Sequence, residues 1–241
     1  MNDSPAIATW MYDESAHCGV DYSQSELAQK YDDSHQSFRN VEQEFAGMLR
    51  LLGIETAASM TALDMGCGTG LFTRQLAGAF AHVHAVDISA AMLSLAREKA
   101  GDLPNVSFHH AGFLTYAHAD KPVDVVISKM ALHHLPDFWK QAALLRVNAM
   151  LKPGGLLYIH DVVFGFEPRE YDAKVRAFID AIGSIAGSRV RRETETHIRD
   201  EYSTFAWILE GMLHKAGFVT EQCITHDGFI TEYVCRKTGP A

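Results

Sequence analysis

The sequence predicts a doubly wound α/β domain built on a mostly parallel sheet, and three observations carry that prediction. Short runs rich in β-branched residues alternate with helical stretches. A glycine-dense turn, Gly66-Cys67-Gly68-Thr69-Gly70, stands where the first strand hands over to the first helix after it. Near the far end, Asp227-Gly228 joins two strand-like runs, a dipeptide that favours a tight hairpin. With 241 residues, 47% of them hydrophobic, the chain can bury roughly 70–75% of its unfolded surface without a metal or disulfide staple.

The first forty residues are polar and loop-like. From Phe38 the apolar residues Val41, Phe45, Met48 and Leu52 recur at three- and four-residue steps, the stripe of an amphipathic helix, which Gly53 stops. A strand follows at 61–65, a helix at about 71–79, a strand at 82–87 and a helix beyond Ser89. Further strands are expected at 106–110, 123–128 and 156–162. Between the last two, Asp137 caps a helix that runs to about Met150 and is ended by Lys152-Pro153-Gly154-Gly155. The rhythm then changes. Tyr171, Val175, Phe178, Ile182 and Ile185 make one helical stripe, and Ile198, Tyr202, Phe205, Leu209, Met212 and Ala216 make the next, closed by Gly217, with no strand between them. This extra helical region, about 166–200, reads as an inserted cap. Runs at 218–225 and 229–236 form the antiparallel pair that ends the sheet.

Charge narrows the function. Lys and Arg number 21 against 30 Asp and Glu, a net charge of −9, and the basic cluster Arg189 to Arg192 is interrupted by Val190. Nucleic acid and anionic membrane surfaces are poor partners for such a chain. No basic stretch followed by an apolar run opens it and no run of about 18 apolar residues appears, so a soluble cytoplasmic protein is expected. Cys18, Cys67, Cys223 and Cys235 are scattered, with no C-x-x-C pair, and read as reduced structural thiols.

The turn at 66–70 has the spacing G-x-G-x-G, and the residue three beyond Gly68 is Leu71, so the dinucleotide fingerprint is not met. Glycines there let backbone amides approach a ligand with no Cβ in the way. Asp64, just ahead, would repel a pyrophosphate and suits a cationic ligand. Asp87 ends the second strand, where a carboxylate can accept both hydroxyl hydrogens of a ribose.

At these residues the chain resembles the class I S-adenosylmethionine-dependent methyltransferases, over about residues 63–162 with the terminal hairpin also fitting. Leu63–Gly70 is similar to the family's first motif and Ala85–Ser89 to its ribose motif. Val123–Asp137, containing Ala131-Leu132-His133-His134-Leu135-Pro136-Asp137, resembles the fourth-strand motif, and Leu151–Leu157 the fifth. The resemblance implies a Rossmann-like seven-stranded sheet of order 3-2-1-4-5-7-6 with the last strand antiparallel, a lid at about 1–36, a methyltransferase domain at 37–241 and S-adenosylmethionine as cofactor. It implies that Gly66, Cys67, Gly68 and Gly70 shape the loop beneath the methionine moiety. Asp64 would face the ammonium end, Asp87 the ribose, Ile88 one face of the adenine, and Lys129 the cofactor side of the fourth strand. An acidic residue common in the family after the third strand is missing: the stretch is His109-His110-Ala111-Gly112-Phe113, so Gly112 would offer backbone and Phe113 ring contact. Tyr31, of the pair Tyr31-Asp32, would face the cofactor from the lid.

Methyl transfer needs positioning above all, with a base useful only where the nucleophile must lose a proton. Ligands of open α/β sheets sit at the carboxyl ends of the strands, which nominates His133 and His134 there and His160 and Asp161 on the fifth strand. His197, Arg199 and Tyr202 of the cap could face the acceptor, as could Tyr22 of the polar, aromatic N-terminal segment. His109-His110 and His133-His134 are adjacent pairs rather than i, i+4 pairs, so no metal is expected. The expected activity is methylation of a small molecule at oxygen, nitrogen or sulfur. A non-catalytic protein that binds S-adenosylmethionine or S-adenosylhomocysteine is the alternative, a nicotinamide oxidoreductase is disfavoured by Asp64 and Leu71, and a homodimer is left open.

Overall fold

In the computed structural model, residues 9–16, 18, 19 and 40–239 are described. Tyr22 and Tyr31 lie outside them. Asn40 caps the first described helix, α1 (Val41–Leu51), its side chain accepting from the Gln43 N–H at 2.9 Å. Strands β1 (Thr61–Met65) and β2 (His82–Asp87) are buried almost end to end, polar residues included, as expected of parallel strands covered on both faces. Helix α2 (Leu71–Ala79) connects them, and α3 (Ala90–Ala100), capped by the Ser89 hydroxyl, leads to β3 (Val106–His110). Then come β4 (Val123–Lys129), α4 (Asp137–Met150), β5 (Leu151–Phe164), α5 (Tyr171–Asp200), β6 (Thr204–Phe205), α6 (Ala206–Lys215), β7 (Phe218–His226) and β8 (Ile230–Lys237).

The sheet runs β3-β2-β1-β4-β5-β8-β7, with the two-residue β6 pairing beside β5 off that path. Strands β1 to β5 are parallel and β8 is antiparallel to both β5 and β7. Without β6 this is the expected Rossmann-like order. The hairpin turn is as the sequence predicts: Asp227 (φ 51°) and Gly228 (φ 80°) both adopt left-handed backbone, and the Phe229 N–H closes on the His226 carbonyl at 3.0 Å. Two apolar layers flank the sheet. Met48 of α1, Leu52 just beyond it, and Phe72 and Leu76 of α2 fill one, while Leu144 and Val147 of α4 and Leu209 and Leu213 of α6 fill the other.

Three expectations need correction. Asp137 does not cap α4: Pro136 holds that position, and the Asp137 carboxylate instead accepts from Lys140 Nζ at 2.8 Å and Thr204 Oγ1 at 3.2 Å. Lys152-Pro153-Gly154-Gly155 is not a stop after α4 but the start of β5, where the register against β4 jumps from Val123↔Leu151 to Val125↔Leu156. The second cap stripe is not one helix either. Residues 201–205 break it, because the Tyr202 N–H is drawn to the His133 carbonyl at 2.9 Å and Thr204–Phe205 pairs with Val163–Phe164. Helix α5 itself carries a break at Gly187 (φ 84°, ψ 176°).

Candidate active site

The sheet order reverses between β1 and β4, and a cavity of about 480 Å³ opens at the carboxyl ends there. Its floor is the glycine turn. Gly66 (φ 78°) presses on the β4 side, since a Cβ on it would fall 2.3 Å from the Ala131 Cβ, whereas a Cβ on Gly68 (φ 55°) would meet nothing within 4 Å. Gly66, Cys67 and Gly68 border the cavity. Gly70 is set back at the N-cap of α2 against Ala96, so it shapes the turn from behind.

Asp64 and Asp87 both border this space. Asp64 is buried and accepts the Thr73 hydroxyl at 2.6 Å; burial raises its pKa to about 6, the Thr73 bond opposing and the Asp87 charge adding to the shift. Asp87 accepts from the Gly68 N–H at 2.7 Å through one oxygen and from the Ser89 N–H at 2.8 Å through the other. Burial raises its pKa, and these backbone bonds work against that rise. The Ile88 backbone bonds the same carboxylate, and an ionised carboxylate accepts at about four sites, so capacity for a ligand hydroxyl remains. That donor and acceptor set fits a vicinal diol, and with Asp64 it fits an adenosine-linked ammonium compound.

Ile88, Ala111, Gly112 and Phe113 make the wall beyond Asp87. An acid stands at this wall after all, supplied by the N-terminal segment. Glu14 accepts from the Leu114 N–H at 3.1 Å and the Thr115 hydroxyl at 2.7 Å, and a Cβ on Gly112 would fall 2.3 Å from its carboxyl carbon. Ser15, Ala16 and Cys18 border the cavity as well. Trp10 stacks on Trp139 with centroids 6.2 Å apart, and Tyr12 meets Trp139 and Tyr202. The described part of the N-terminal segment is thereby seated beside the opening.

On the opposite side Lys129 borders the cavity, with Nζ 3.1 Å from Glu44 and 2.8 Å from His160 Nδ1. Met130 follows it with φ 53°, a left-handed conformation uncommon outside glycine, held by its N–H on the His160 carbonyl at 2.8 Å. Next come Ala131 and His134, also at the cavity.

The three candidate histidines form one group, with the ring of His133 4.3 Å from that of His134 and 4.7 Å from that of His197. His133 is buried between two carboxylates: Nδ1 bonds Asp161, and Nε2 lies 3.2 Å from Glu201 Oε2. Burial pulls the His133 pKa down, but the two acids override it and lift it to about 9. Asp161, against its own burial, is held near 2 by His133. His134 goes the other way, to about 4, through burial and the neighbouring His133 charge. Glu201 also accepts from His197, whose Nε2 pairs with the Ser203 hydroxyl at 2.8 Å.

Several candidates do not reach the cavity. Asp161, expected at the acceptor, is 2% exposed and occupied by His133 and the N–H groups of Leu132 and Val162. Arg199 points outward and pairs with Asp200. Tyr202 packs on Tyr12 and is tied by its backbone to His133 and Lys140. Glu14, Met130 and Glu201 were absent from the sequence-based set. Nothing local marks them: Glu14 lies 100 residues from Leu114, and Glu201 is one acid in a run of charged cap residues.

Comparison with known proteins bears on this geometry. Residues 62–155 match the model of a methyltransferase domain family. An uncharacterized methyltransferase of Anoxybacillus flavithermus is 30% identical over 161 residues, covering 64% of this chain and 74% of the relative. Among solved structures, a DhpI–SAH complex superposes with a TM-score of 0.62 at 22% identity, over 91% of this chain and 97% of that one. The N-methyltransferase NodS of Bradyrhizobium japonicum, in complex with S-adenosyl-L-homocysteine, does so at 0.63 and 17% identity, over 91% and 100%.

Proposed function

The chain belongs to the class I S-adenosylmethionine-dependent methyltransferases, and from that premise we propose that it methylates a small molecule at an oxygen, nitrogen or sulfur atom held at the His134 end of the cavity. The observation that carries this reading is the continuity of one cavity from the Gly68–Asp87 turn to His134. S-adenosylmethionine supplies an electrophilic methyl group, displaced in line with its sulfur.

The protein's own share is positioning. Asp87 receives the ribose hydroxyls, Asp64 faces the ammonium group, Ile88 and Phe113 flank the adenine, and the open face of Gly68 gives the methionine chain room. Holding donor and acceptor in near-attack geometry is worth about 7–11 kcal/mol in the best intramolecular cases. Of the three candidate histidines, His134 is the one at the cavity, and it meets the acceptor. The segment around Glu14 borders the cavity, and a net charge of −9 argues against a nucleic-acid substrate. Four free thiols suit a reducing, cytoplasmic setting. Among the described residues no helix is long and apolar enough to cross a membrane.

Calorimetric titration with S-adenosylhomocysteine should show one saturable site per chain, and labelled S-adenosylmethionine should transfer its methyl group to a component of a metabolite extract. His134→Ala should leave cofactor affinity within about twofold and cut turnover by about 100-fold or more. Absence of cofactor binding at millimolar concentration would overturn the reading. Binding with no labelled product from any extract would favour a cofactor-sensing protein instead.

A further inference from the structure

We propose that His133, His134 and Glu201 form a site for a divalent transition-metal ion of the zinc class on the acceptor side of the cavity, and that the acceptor is therefore a hydroxyl or thiol compound. The inference rests on the reading of His134 as the acceptor-side residue and narrows it.

One ligand atom from each of the three residues lies within 4.8 Å of the others. Tetrahedral coordination at about 2.1 Å sets ligand atoms about 3.4 Å apart, so closing the set needs side-chain movements of about an ångström. The surroundings are those of a built site. A metal-binding imidazole typically has its other ring nitrogen fixed by a carboxylate, and Asp161 fixes His133 at Nδ1, leaving Nε2 turned toward Glu201 at 3.2 Å. Asp161 is itself anchored by the Leu132 and Val162 N–H groups at 2.8 and 2.7 Å. Glu201 is braced by His197, and Gly19 covers it so closely that a Cβ there would fall 2.0 Å from Oε1.

Burial separates this group from an ordinary cluster of surface acids: the His133 and Glu201 side chains are 5% and 3% exposed. Two buried carboxylates want positive charge between them, and a divalent ion answers that demand at least as well as a proton. Of the three ligands His134 borders the cavity, so an ion held by this set would be approached from that side, and three protein ligands are the number of a catalytic rather than a structural zinc.

Such an ion lowers the pKa of a bound hydroxyl or thiol toward neutrality. The acceptor releases its proton to solvent, and its lone pair forms the new bond to the methyl carbon. The carbon–sulfur bond of the sulfonium breaks with its electron pair remaining on sulfur. The products are a methylated oxygen or sulfur and the neutral thioether of the donor.

The test uses the whole chain, stripped with a chelator and titrated with Co²⁺ followed by visible absorption and with Zn²⁺ by calorimetry. The expected result is a single saturable ion per chain with a tetrahedral Co²⁺ spectrum. Glu201→Gln should abolish that spectrum and Asp161→Asn should weaken binding by about 10–100-fold. His118→Ala, in the separate histidine group around His84, should leave it unchanged. S-adenosylhomocysteine binding, measured on every variant, reports folding and the cofactor site independently. A chain that binds S-adenosylhomocysteine but shows no saturable Co²⁺ spectrum, or binds the ion equally well in the Glu201 and Asp161 variants, overturns the metal site and leaves the methyltransferase reading standing.

Discussion

Asp87 joins the local fold to the ligand pocket through a single carboxylate. It pins the glycine turn through the Gly68 N–H and opens the next helix through the Ser89 N–H, and it borders the cavity. Asp87→Ala should weaken S-adenosylhomocysteine binding by about 1–3 kcal/mol and lower the melting temperature as well, because the backbone donors of Gly68, Ile88 and Ser89 lose a partner. Calorimetry and thermal melts on one preparation check both effects, and unchanged affinity would remove Asp87 from the ribose site. Asp64, Gly66, Gly68 and Asp87 were legible in the sequence because a strand-to-helix turn demands particular residues within a few positions. Glu14, Met130 and Glu201 were not, since long-range packing places them and nothing in their neighbours announces it.

Among the elements, the strands from β1 to β3 have the boundaries expected from the sequence, since each is a short segment with β-branched or aromatic residues set between helical stretches. The cap was harder. Its apolar spacing continues unbroken through Tyr202, Phe205 and Leu209, yet the helix ends at Asp200. What ends it is tertiary: the His133 carbonyl, the imidazoles around Glu201, and the β5 edge. Periodicity records which residues could share a face, not whether a distant partner interrupts them. The same contrast sets the size of substitution effects. Leu213→Ala, in the fully buried face of α6, should cost about 2–5 kcal/mol. Gly228→Ala should cost only about 1 kcal/mol, because a Cβ there makes ordinary contact with Phe166 at 3.7 Å and the penalty is the left-handed backbone alone. Urea denaturation of the two variants should preserve that order.

Over the whole molecule, histidines give stability a maximum in pH. Burial holds His84 and His134 near pKa 4, with neighbouring imidazoles adding to the shift, against about 6.5 in the unfolded chain. The unfolded state therefore binds more protons below pH 6.5, and the stability these groups supply above it is lost as pH falls toward 4. In the metal-free chain His133 acts in the opposite sense. Its folded pKa of about 9 makes its contribution full below pH 6.5 and progressively lost as pH rises through 9. The melting temperature should peak near pH 6.5, and His84→Gln should flatten the acid limb only. A melting temperature that climbs steadily from pH 4 to 9 would contradict this account.

The place of β8 in the sheet also governs the order of assembly. It comes last among the strands yet lies between β5 and β7, so a ribosome that has already delivered β7 has made a strand with no neighbour to join. Until β8 emerges, β5 is left with a bare parallel edge over most of its length, open to other nascent chains. Biosynthesis is thus most vulnerable just before the sheet can close, and a chaperone that shields that edge would act in this interval.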